Sequence, residues 1–225
     1  MRVTFVRSWI EQNIQWESVI FTDEKKFKLD GPDNWFAYII IIIILLHCIV
    51  FHRCTYARNG NLTNRQRRQC GGGGLMVWGL VMPNALLSVK FTQNKFNSNQ
   101  YIELLRSFAI PLMNLYYKYY LLVQDNASVS CGKRVVQYLS GELTVLPWPS
   151  KSPDLNIMEN VWKILSDIVY NGCQPRNNTD LKDRILKAVH SVNSGHRQTV
   201  ACLYQSHRCR LTKLLLLNGS IIDRK

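Results

Sequence analysis

Three acidic residues of this 225-residue chain could together form a site for divalent metal ions: Asp23, Asp125 and Glu159. The two aspartates each follow an apolar run, and Glu159 stands early in a helical pattern. Carboxylate oxygens are the ligands that Mg²⁺ prefers. Two such ions about 4 Å apart can activate a nucleophile and stabilise the leaving oxygen of an in-line attack on phosphorus. The alternative is three solvated surface acids, and spacing alone does not exclude it.

Apolar runs predict the strands that would position the two aspartates. Residues 16–23 and 121–125 each indicate a strand that ends in an acid. Residues 26–29 alternate polar and apolar side chains, which predicts a further half-buried strand. Residues 75–81 and 86–91 are joined by a Pro-Asn turn, so we expect a hairpin there. Acids at strand ends can converge on one metal site without burying unpaired charge.

Helical patterns follow each of these strands. Asn97 or Ser98 can cap a first helix, residues 133–139 indicate a short second helix before a short strand at 144–146, and residues 181–192 a later one. Ser152 as N-cap and Pro153 at the first position predict the start of the helix that carries Glu159. Apolar residues at helical spacing predict its buried stripe, which comprises Leu155, Met158, Trp162, Leu165 and Val169. The fold class is therefore α/β, a mixed sheet with helices on its faces.

The charge balance favours a polyanionic partner. Lys and Arg number 28 against 15 Asp and Glu, a formal net charge of +13. Such an excess suits nucleic acid or an acidic membrane surface, although a basic protein without either role stays open. Seven cysteines without a CxxC pair, and no apolar signal segment in residues 1–15, favour reduced thiols in a cytosolic or nuclear protein.

One segment does not fit a soluble α/β domain. Residues 39–44 are six isoleucines, and the apolar stretch from residue 35 to 51 reaches the short limit for a membrane span. Basic residues flank both sides and give little orientation signal. An inserted apolar loop and a coding artefact are the alternatives, and we treat residues 39–57 as an atypical apolar insertion.

Four blocks of sequence resemble the mariner superfamily of DNA transposases, especially its Tc branch. The first runs from Trp16 to Asp33 around Thr-Asp-Glu-Lys-Lys-Phe, and the second is the glycine-rich stretch 71–79. The third is Val-Gln-Asp-Asn-Ala at 123–127. The fourth, at 146–162, reads Leu-Pro-Trp-Pro-Ser-Lys-Ser-Pro-Asp-Leu-Asn before Glu159 and Trp162. The blocks occur in order and cover most of residues 1–200.

The resemblance implies a ribonuclease-H-like fold and cut-and-paste DNA transposition. It assigns the catalytic and metal-binding roles to Asp23, Asp125 and Glu159, with Mg²⁺ as cofactor and Mn²⁺ as a substitute. It implies double-stranded DNA as partner, a second copy of the chain as a candidate partner, and the nucleus as location. We expect neither a small-molecule substrate nor a membrane.

Basic residues near these blocks are candidates for contacts with DNA phosphates. They are Lys25, Lys26, Arg65, Arg67, Arg68, Lys133 and Arg134. Lys and Arg can meet phosphates as point charges and as forked donors. Solvated surface positions are the alternative for each of them.

The chain also departs from the family pattern. Ser128 and Ser130 stand where relatives carry Pro-x-His, and the spacing between the second and third acids is one residue shorter than usual. The helix-turn-helix domains that precede the first block in relatives are not in this sequence. We therefore expect a catalytic domain over residues 1–200, a basic tail or helix over 201–225, and defective transposition. A non-catalytic DNA-binding remnant of a transposable element is the alternative.

Overall fold

The computed structural model describes residues 1–31, 73–93, 97–125, 133–150, 152–171 and 174–222. The isoleucine run at 39–44 and the rest of the atypical insertion lie outside these residues. Among the described residues, no helix is both long enough and apolar enough to cross a membrane.

Five strands form one mixed sheet in the described part of the chain. Their order across the sheet is β3-β2-β1-β4-β5. The three strands β1, β2 and β3 pair antiparallel, whereas β1–β4 and β4–β5 pair parallel. The strands are β1 (Val19–Lys28), β2 (Gly74–Val81), β3 (Leu87–Thr92), β4 (Leu121–Val123) and β5 (Thr144–Val145). The predicted hairpin is confirmed as β2 and β3.

The first strand is longer than the sequence suggested. We expected one strand to end at Asp23 and another to cover residues 26–29, but β1 runs without a break from Val19 to Lys28. Its antiparallel partner β2 continues the backbone pairing from Phe21 opposite Val81 to Lys28 opposite Gly74. Asp23 is therefore internal to β1, and only the parallel pairing with β4 stops before it.

Helices cover both faces of the sheet. They are α1 (Arg2–Glu11), α2 (Ser98–Leu104), α3 (Ile110–Tyr116), α4 (Lys133–Glu142), α5 (Met158–Val169), α6 (Asn178–Gly195), α7 (Arg197–Gln205) and α8 (His207–Leu216). A π-helical turn, Leu105–Ala109, joins α2 to α3. The predicted cap of α2 is confirmed, because the Asn97 side chain accepts from the Gln100 backbone and the Gln100 side chain accepts from the Asn97 backbone.

The side chains of each strand alternate between two separate cores. Phe21 and Val123 point into a core formed with α1, α5, α6, α7 and α8. Ile20 and Leu122 point to the opposite face, where α2, α3 and α4 pack. The mixed sheet flanked by helices that the sequence predicted is thus confirmed.

The helix that carries Glu159 begins later than predicted. Ser152 and Pro153 do not start it; residues 152–157 form turns, and α5 begins at Met158. Long-range contacts hold these turns in place of helical bonds. The buried Asp154 side chain bonds Arg2 and accepts from the backbone N–H of Ile222 at 3.0 Å. All five residues of the predicted stripe are buried; Met158, Trp162, Leu165 and Val169 lie on α5, whereas Leu155 lies in the turns before it.

The C-terminal region is helical and packs on the larger core. Tyr204 in α7 is buried, and its hydroxyl lies 3.1 Å from the carbonyl oxygen of Val19 and 2.8 Å from that of Val81. Leu211 and Leu214 of α8 are buried in the same core. The division of the chain at residue 200 stays a prediction.

Candidate active site

Asp23 and Asp125 both follow the last paired residues of two neighbouring parallel strands, β1 and β4. Phe21 pairs with Val123, and each aspartate follows its member of this pair by two residues. The Thr22 hydroxyl donates to the Val123 carbonyl at 2.8 Å and fastens the two strands together at that point. Both acids therefore leave the β1–β4 pair at its carboxyl end.

Two donors hold the Asp23 carboxylate. The backbone N–H of Glu24 donates to Oδ1 at 2.8 Å, and the indole Nε1–H of Trp162 donates to Oδ2 at 3.0 Å. Each oxygen thus accepts one hydrogen bond from the described part of the chain. The carboxylate plane is fixed by one donor from its own strand and one from α5.

Glu159 reaches the same edge because Asn156 fastens the start of α5 to β1. The Asn156 amide donates to the Thr22 carbonyl at 3.2 Å, and its Oδ1 accepts from the backbone N–H of Met158 at 3.0 Å. Glu159 is half-buried in the first turn of α5. The helix therefore presents Glu159 toward the residue that follows Thr22, which is Asp23.

Electrostatic effects link the three carboxylates. Burial is the largest of the effects that raise the pKa of Asp23 from 3.8 to about 7. The negative charges of Glu159 and Asp125 also raise this pKa, while the hydrogen bonds from Glu24 and Trp162 oppose the rise. Asp125 itself is exposed. Glu159 and Asp125 are thus close enough to Asp23 to influence the charge of its carboxyl group.

A fourth acid lies beside the group. Glu24 is half-buried, and burial together with the charge of Asp125 raises its pKa. Because alternate residues of a strand face opposite ways, Glu24 points away from the face that Asp23 shares with α5. We therefore do not include Glu24 among the candidate metal ligands.

The donor set suits a hard divalent cation, since the three carboxylates offer only oxygen. Crowding of like charges around a half-buried Asp23 would be relieved by a cation. Within the described ranges, however, no three His, Cys, Asp or Glu side chains already stand in an arrangement that could hold a metal ion. The metal site therefore stays a prediction that the chemistry of the donors supports.

The basic candidates fall into three groups. Lys25 lies on the Asp23 face with its Nζ 5.9 Å from the ring centroid of Phe27, whereas Lys26 is exposed and points the other way. Lys133 and Arg134 are exposed in the first turn of α4. The remaining candidates lie outside the described residues, and they are Arg65, Arg67 and Arg68.

The topology brings the start of α4 to the edge where the acids lie. Helix α4 connects β4 to β5, which are parallel and adjacent. A crossover between parallel strands returns from the carboxyl end of the first to the amino end of the second. Lys133 and Arg134 therefore lie at the carboxyl end of the parallel strands, the end at which Asp125 lies, although their helix packs on the face opposite α5.

Sequence reasoning missed the residues that support the acids. Trp162 was identified only as part of a buried stripe, and Gly79 only as part of a glycine-rich block. Asn156 stood in a recognised motif without an assigned role. The short Asp-Leu-Asn segment before a helix was the one signal for Asn156, because Asn commonly bonds nearby backbone N–H groups.

Comparison with known proteins places the chain in a family. A family described as DDE superfamily endonuclease matches residues 50–182, which include Asp125 and Glu159. The Tc3 transposase of Caenorhabditis elegans is 31% identical over 226 residues, covering 99% of this chain. The chain spans 62% of the length of that relative.

Solved structures share the fold. The catalytic domain of Mos1 mariner transposase matches with a TM-score of 0.68 at 11% identity, covering 99% of this chain and 94% of that one. A Mos1 transposase paired-end complex with the left transposon end matches with a TM-score of 0.73 at 13% identity, covering 99% and 62%. These likenesses confirm the predicted ribonuclease-H-like architecture. The chain therefore belongs to the DDE superfamily of endonucleases, as a catalytic domain of the mariner and Tc1 transposase type.

Proposed function

We propose that this domain carries out metal-dependent DNA strand cleavage and strand transfer, with Asp23, Asp125 and Glu159 as the metal ligands. One observation carries the proposal: Asp23 and Asp125 each follow the last β1–β4 residue pair by two residues, and the helix bearing Glu159 is fastened to β1. The influence of both other acids on the pKa of Asp23 supports a shared site.

The residues of the chain prepare the site for phosphoryl transfer. Bound divalent cations would supply an activated water and stabilise the leaving oxygen. Asp23 is oriented before any substrate arrives, because Glu24 and Trp162 each donate to one of its oxygens. Fixed ligands reduce the reorganisation needed during the reaction, which is how positioning contributes to catalysis.

Mg²⁺ is the proposed cofactor, with Mn²⁺ as a substitute. The all-oxygen donor set supports this assignment. Among the matched structures are Mos1 mariner paired-end complexes with Mg and with Mn. We take these metals as the first two to test on this chain.

Double-stranded DNA is the proposed substrate. The net charge of +13 and the position of Lys133 and Arg134 at the same end of the sheet as Asp125 support it. The Mos1 complex with a transposon end supports it by likeness. The paired-end form of that complex supports a second copy of this chain as partner, and a DNA substrate supports the nucleus as location.

Plasmid nicking tests the proposal. Purified protein is incubated with supercoiled plasmid and Mg²⁺ or Mn²⁺, beside Asp125→Ala and the matched control Asp167→Ala, an exposed acid on α5. We expect nicking that needs metal, disappears in Asp125→Ala and persists in Asp167→Ala. Nicking that survives in Asp125→Ala would refute the assignment. Salt-dependent DNA binding without any nicking would favour a non-catalytic DNA-binding remnant.

Complete transposition is a separate expectation. In the sequence shortly after Asp125, Ser128 and Ser130 replace the Pro-x-His of the family, so we expect weak nicking rather than efficient excision and reinsertion. An assay with a marked element between its ends measures this. Efficient reinsertion by this chain would contradict the expectation of a defective enzyme.

A further inference from the structure

We infer that Trp162 is a positioning residue for Asp23, and that Gly79 exists as glycine to admit its indole ring. The inference rests on the proposed function, because it concerns how the first metal ligand is held. It adds a role to two residues that the family resemblance left without one.

The indole N–H is aimed at the carboxylate. Trp162 Nε1 lies 3.0 Å from Asp23 Oδ2, although the two residues are 139 positions apart in the chain. Only 1% of Trp162 is exposed, so water does not compete for this donor. The ring of Phe27, whose centroid lies 6.0 Å away at an interplanar angle of 75°, restricts the indole further.

Gly79 makes the approach of the indole feasible. It is the residue of β2 that pairs with Asp23. A Cβ at this position would lie 2.6 Å from Cη2 and 2.9 Å from Cζ2 of Trp162, and 2.9 Å from Cε of Met158. Real Cβ atoms do not tolerate such distances, so any other residue would force α5 or the indole to move.

The arrangement leaves Asp23 ready to bind metal. Its Oδ1 accepts from the Glu24 backbone and its Oδ2 from Trp162, so one lone pair of each oxygen is used by the protein. The carboxylate is held in one orientation, and no other group of the described residues donates to its remaining lone pairs. Groups that orient metal ligands in this way commonly contribute about 10- to 100-fold to metal affinity.

A packing role alone makes a different prediction. Filling the space between α5 and β2 requires an aromatic ring but not its N–H. Trp162→Phe keeps a ring and removes the donor. Trp9→Phe is the matched control, since Trp9 is 2% exposed and contacts the rings of Trp16 and Trp148, whereas Trp162 bonds Asp23.

The first experiment measures Mn²⁺ affinity by calorimetry and the thermal midpoint on the same samples. We expect Trp162→Phe to bind Mn²⁺ about 10- to 100-fold more weakly. Trp9→Phe should bind Mn²⁺ within about twofold of the parent affinity. This should hold even if its thermal midpoint falls as far as that of Trp162→Phe. Equal affinity for Trp162→Phe and the parent would overturn the inference. If Asp125→Ala bound Mn²⁺ with the same affinity as the parent, that result would instead overturn the proposed function.

A second measurement needs no metal. The Trp162 indole N–H is followed by nuclear magnetic resonance in the metal-free parent and in Asp23→Ala. We expect its resonance to shift and its hydrogen exchange to accelerate when the acceptor is removed. An unchanged resonance would show that no such hydrogen bond exists, whatever the activity of the domain.

The third test concerns Gly79. Gly79→Ala should weaken Mn²⁺ binding, because the added methyl displaces the indole. In the Trp162→Phe background the same change should add little, since the smaller ring no longer reaches the methyl. Coupled residues give such non-additive effects, whereas independent ones add. Fully additive losses in affinity would contradict the assigned role of Gly79.

Discussion

The Tyr101 hydroxyl donates a 2.8 Å hydrogen bond to Oε1 of Gln124, the residue immediately before Asp125. Both partners are buried, with 2% of Tyr101 and 8% of Gln124 exposed. Burial, with the charges of Glu24 and Asp125, raises the pKa of Tyr101, so its hydroxyl stays protonated. Helix α2 thus supports Asp125 from the face opposite the one on which α5 supports Asp23.

Tyr101→Phe should therefore affect metal-dependent nicking more strongly than it affects the stability of the fold. Loss of one buried hydrogen bond costs about 1 to 3 kcal/mol when its acceptor loses a partner. We expect a decrease of that size in the free energy of unfolding by urea, together with reduced metal-dependent nicking. Tyr116→Phe is the control, because that tyrosine is about half exposed on α3. Wild-type nicking by Tyr101→Phe would show that Asp125 needs no such support.

The sequence was sufficient to predict the elements that depend on local patterns of residues. The hairpin β2–β3, the cap of α2 and the buried stripe of α5 follow from turn residues, a capping pair and a helical period. The three acids were found by resemblance to ordered family blocks. Their registration across β1 and β4 agrees with that assignment.

The features that sequence reasoning got wrong depend on distant contacts. Strand β1 continues past Asp23 because β2 pairs with it, and no local signal near Asp23 records that pairing. Helix α5 starts at Met158 because Asp154 bonds Arg2 and the backbone of Ile222, at the two ends of the chain. The helical spacing of apolar residues also indicates which residues of α5 are buried, but not where an indole N–H points. The role of Trp162 could therefore not be predicted from the sequence.

Metal binding should weaken as the pH falls below about 7. The pKa of Asp23 is raised from 3.8 to about 7, chiefly by burial, so in the metal-free domain this carboxyl gains a proton near neutrality. A proton competes with a cation for the same oxygen. Mn²⁺ affinity should therefore fall up to about tenfold per pH unit below 7 and level off above about 8. Calorimetric titrations from pH 5.5 to 8.5 measure it, and a flat profile over that range would contradict the buried state of Asp23.

Stability should decrease in mild acid because of His207. Its ring lies 4.1 Å from that of Trp16, and its Nε2 lies 3.0 Å from the Leu155 carbonyl. Burial is the main reason why the pKa of His207 falls from 6.5 to about 3; the charge of Arg210 lowers it too, and the Leu155 bond opposes the change. Below pH 6.5 the unfolded chain takes up a proton that the folded chain refuses, so stability falls as the pH drops toward 3.

Urea unfolding of the parent and of His207→Gln measures this effect, because other titrating groups contribute equally to both. The parent should be more stable than His207→Gln at pH 7. The difference between their free energies of unfolding should narrow by up to about 2 kcal/mol between pH 6.5 and 5. His190→Gln, at an exposed position on α6, is the control and should leave the free energy of unfolding at pH 7 close to that of the parent. A constant difference across this range would mean that His207 does not stay neutral in the folded protein.

The affinity for DNA should depend on salt concentration and on the basic residues at the end of the sheet where Asp125 lies. Each phosphate neutralised by a lysine or arginine contributes about 0.9 to the slope of log affinity against log salt. Lys133→Gln with Arg134→Gln should thus lower the slope by up to about 2 and weaken binding alike on unrelated duplexes. Lys118→Gln removes the same kind of charge just before β4, at the opposite end of that strand, and serves as the control.

Fluorescence anisotropy at several salt concentrations, on two duplexes of unrelated sequence, gives both the slope and any sequence preference. If α4 meets DNA beside the carboxylates, the double variant changes the slope, while Lys118→Gln changes it little. Equal effects of the double variant and of Lys118→Gln would indicate that the net charge of +13 attracts DNA without a preferred binding face. Binding that does not change with salt would contradict the assignment of phosphate contacts to these residues, because an exposed lysine or arginine at a phosphate must release counterions.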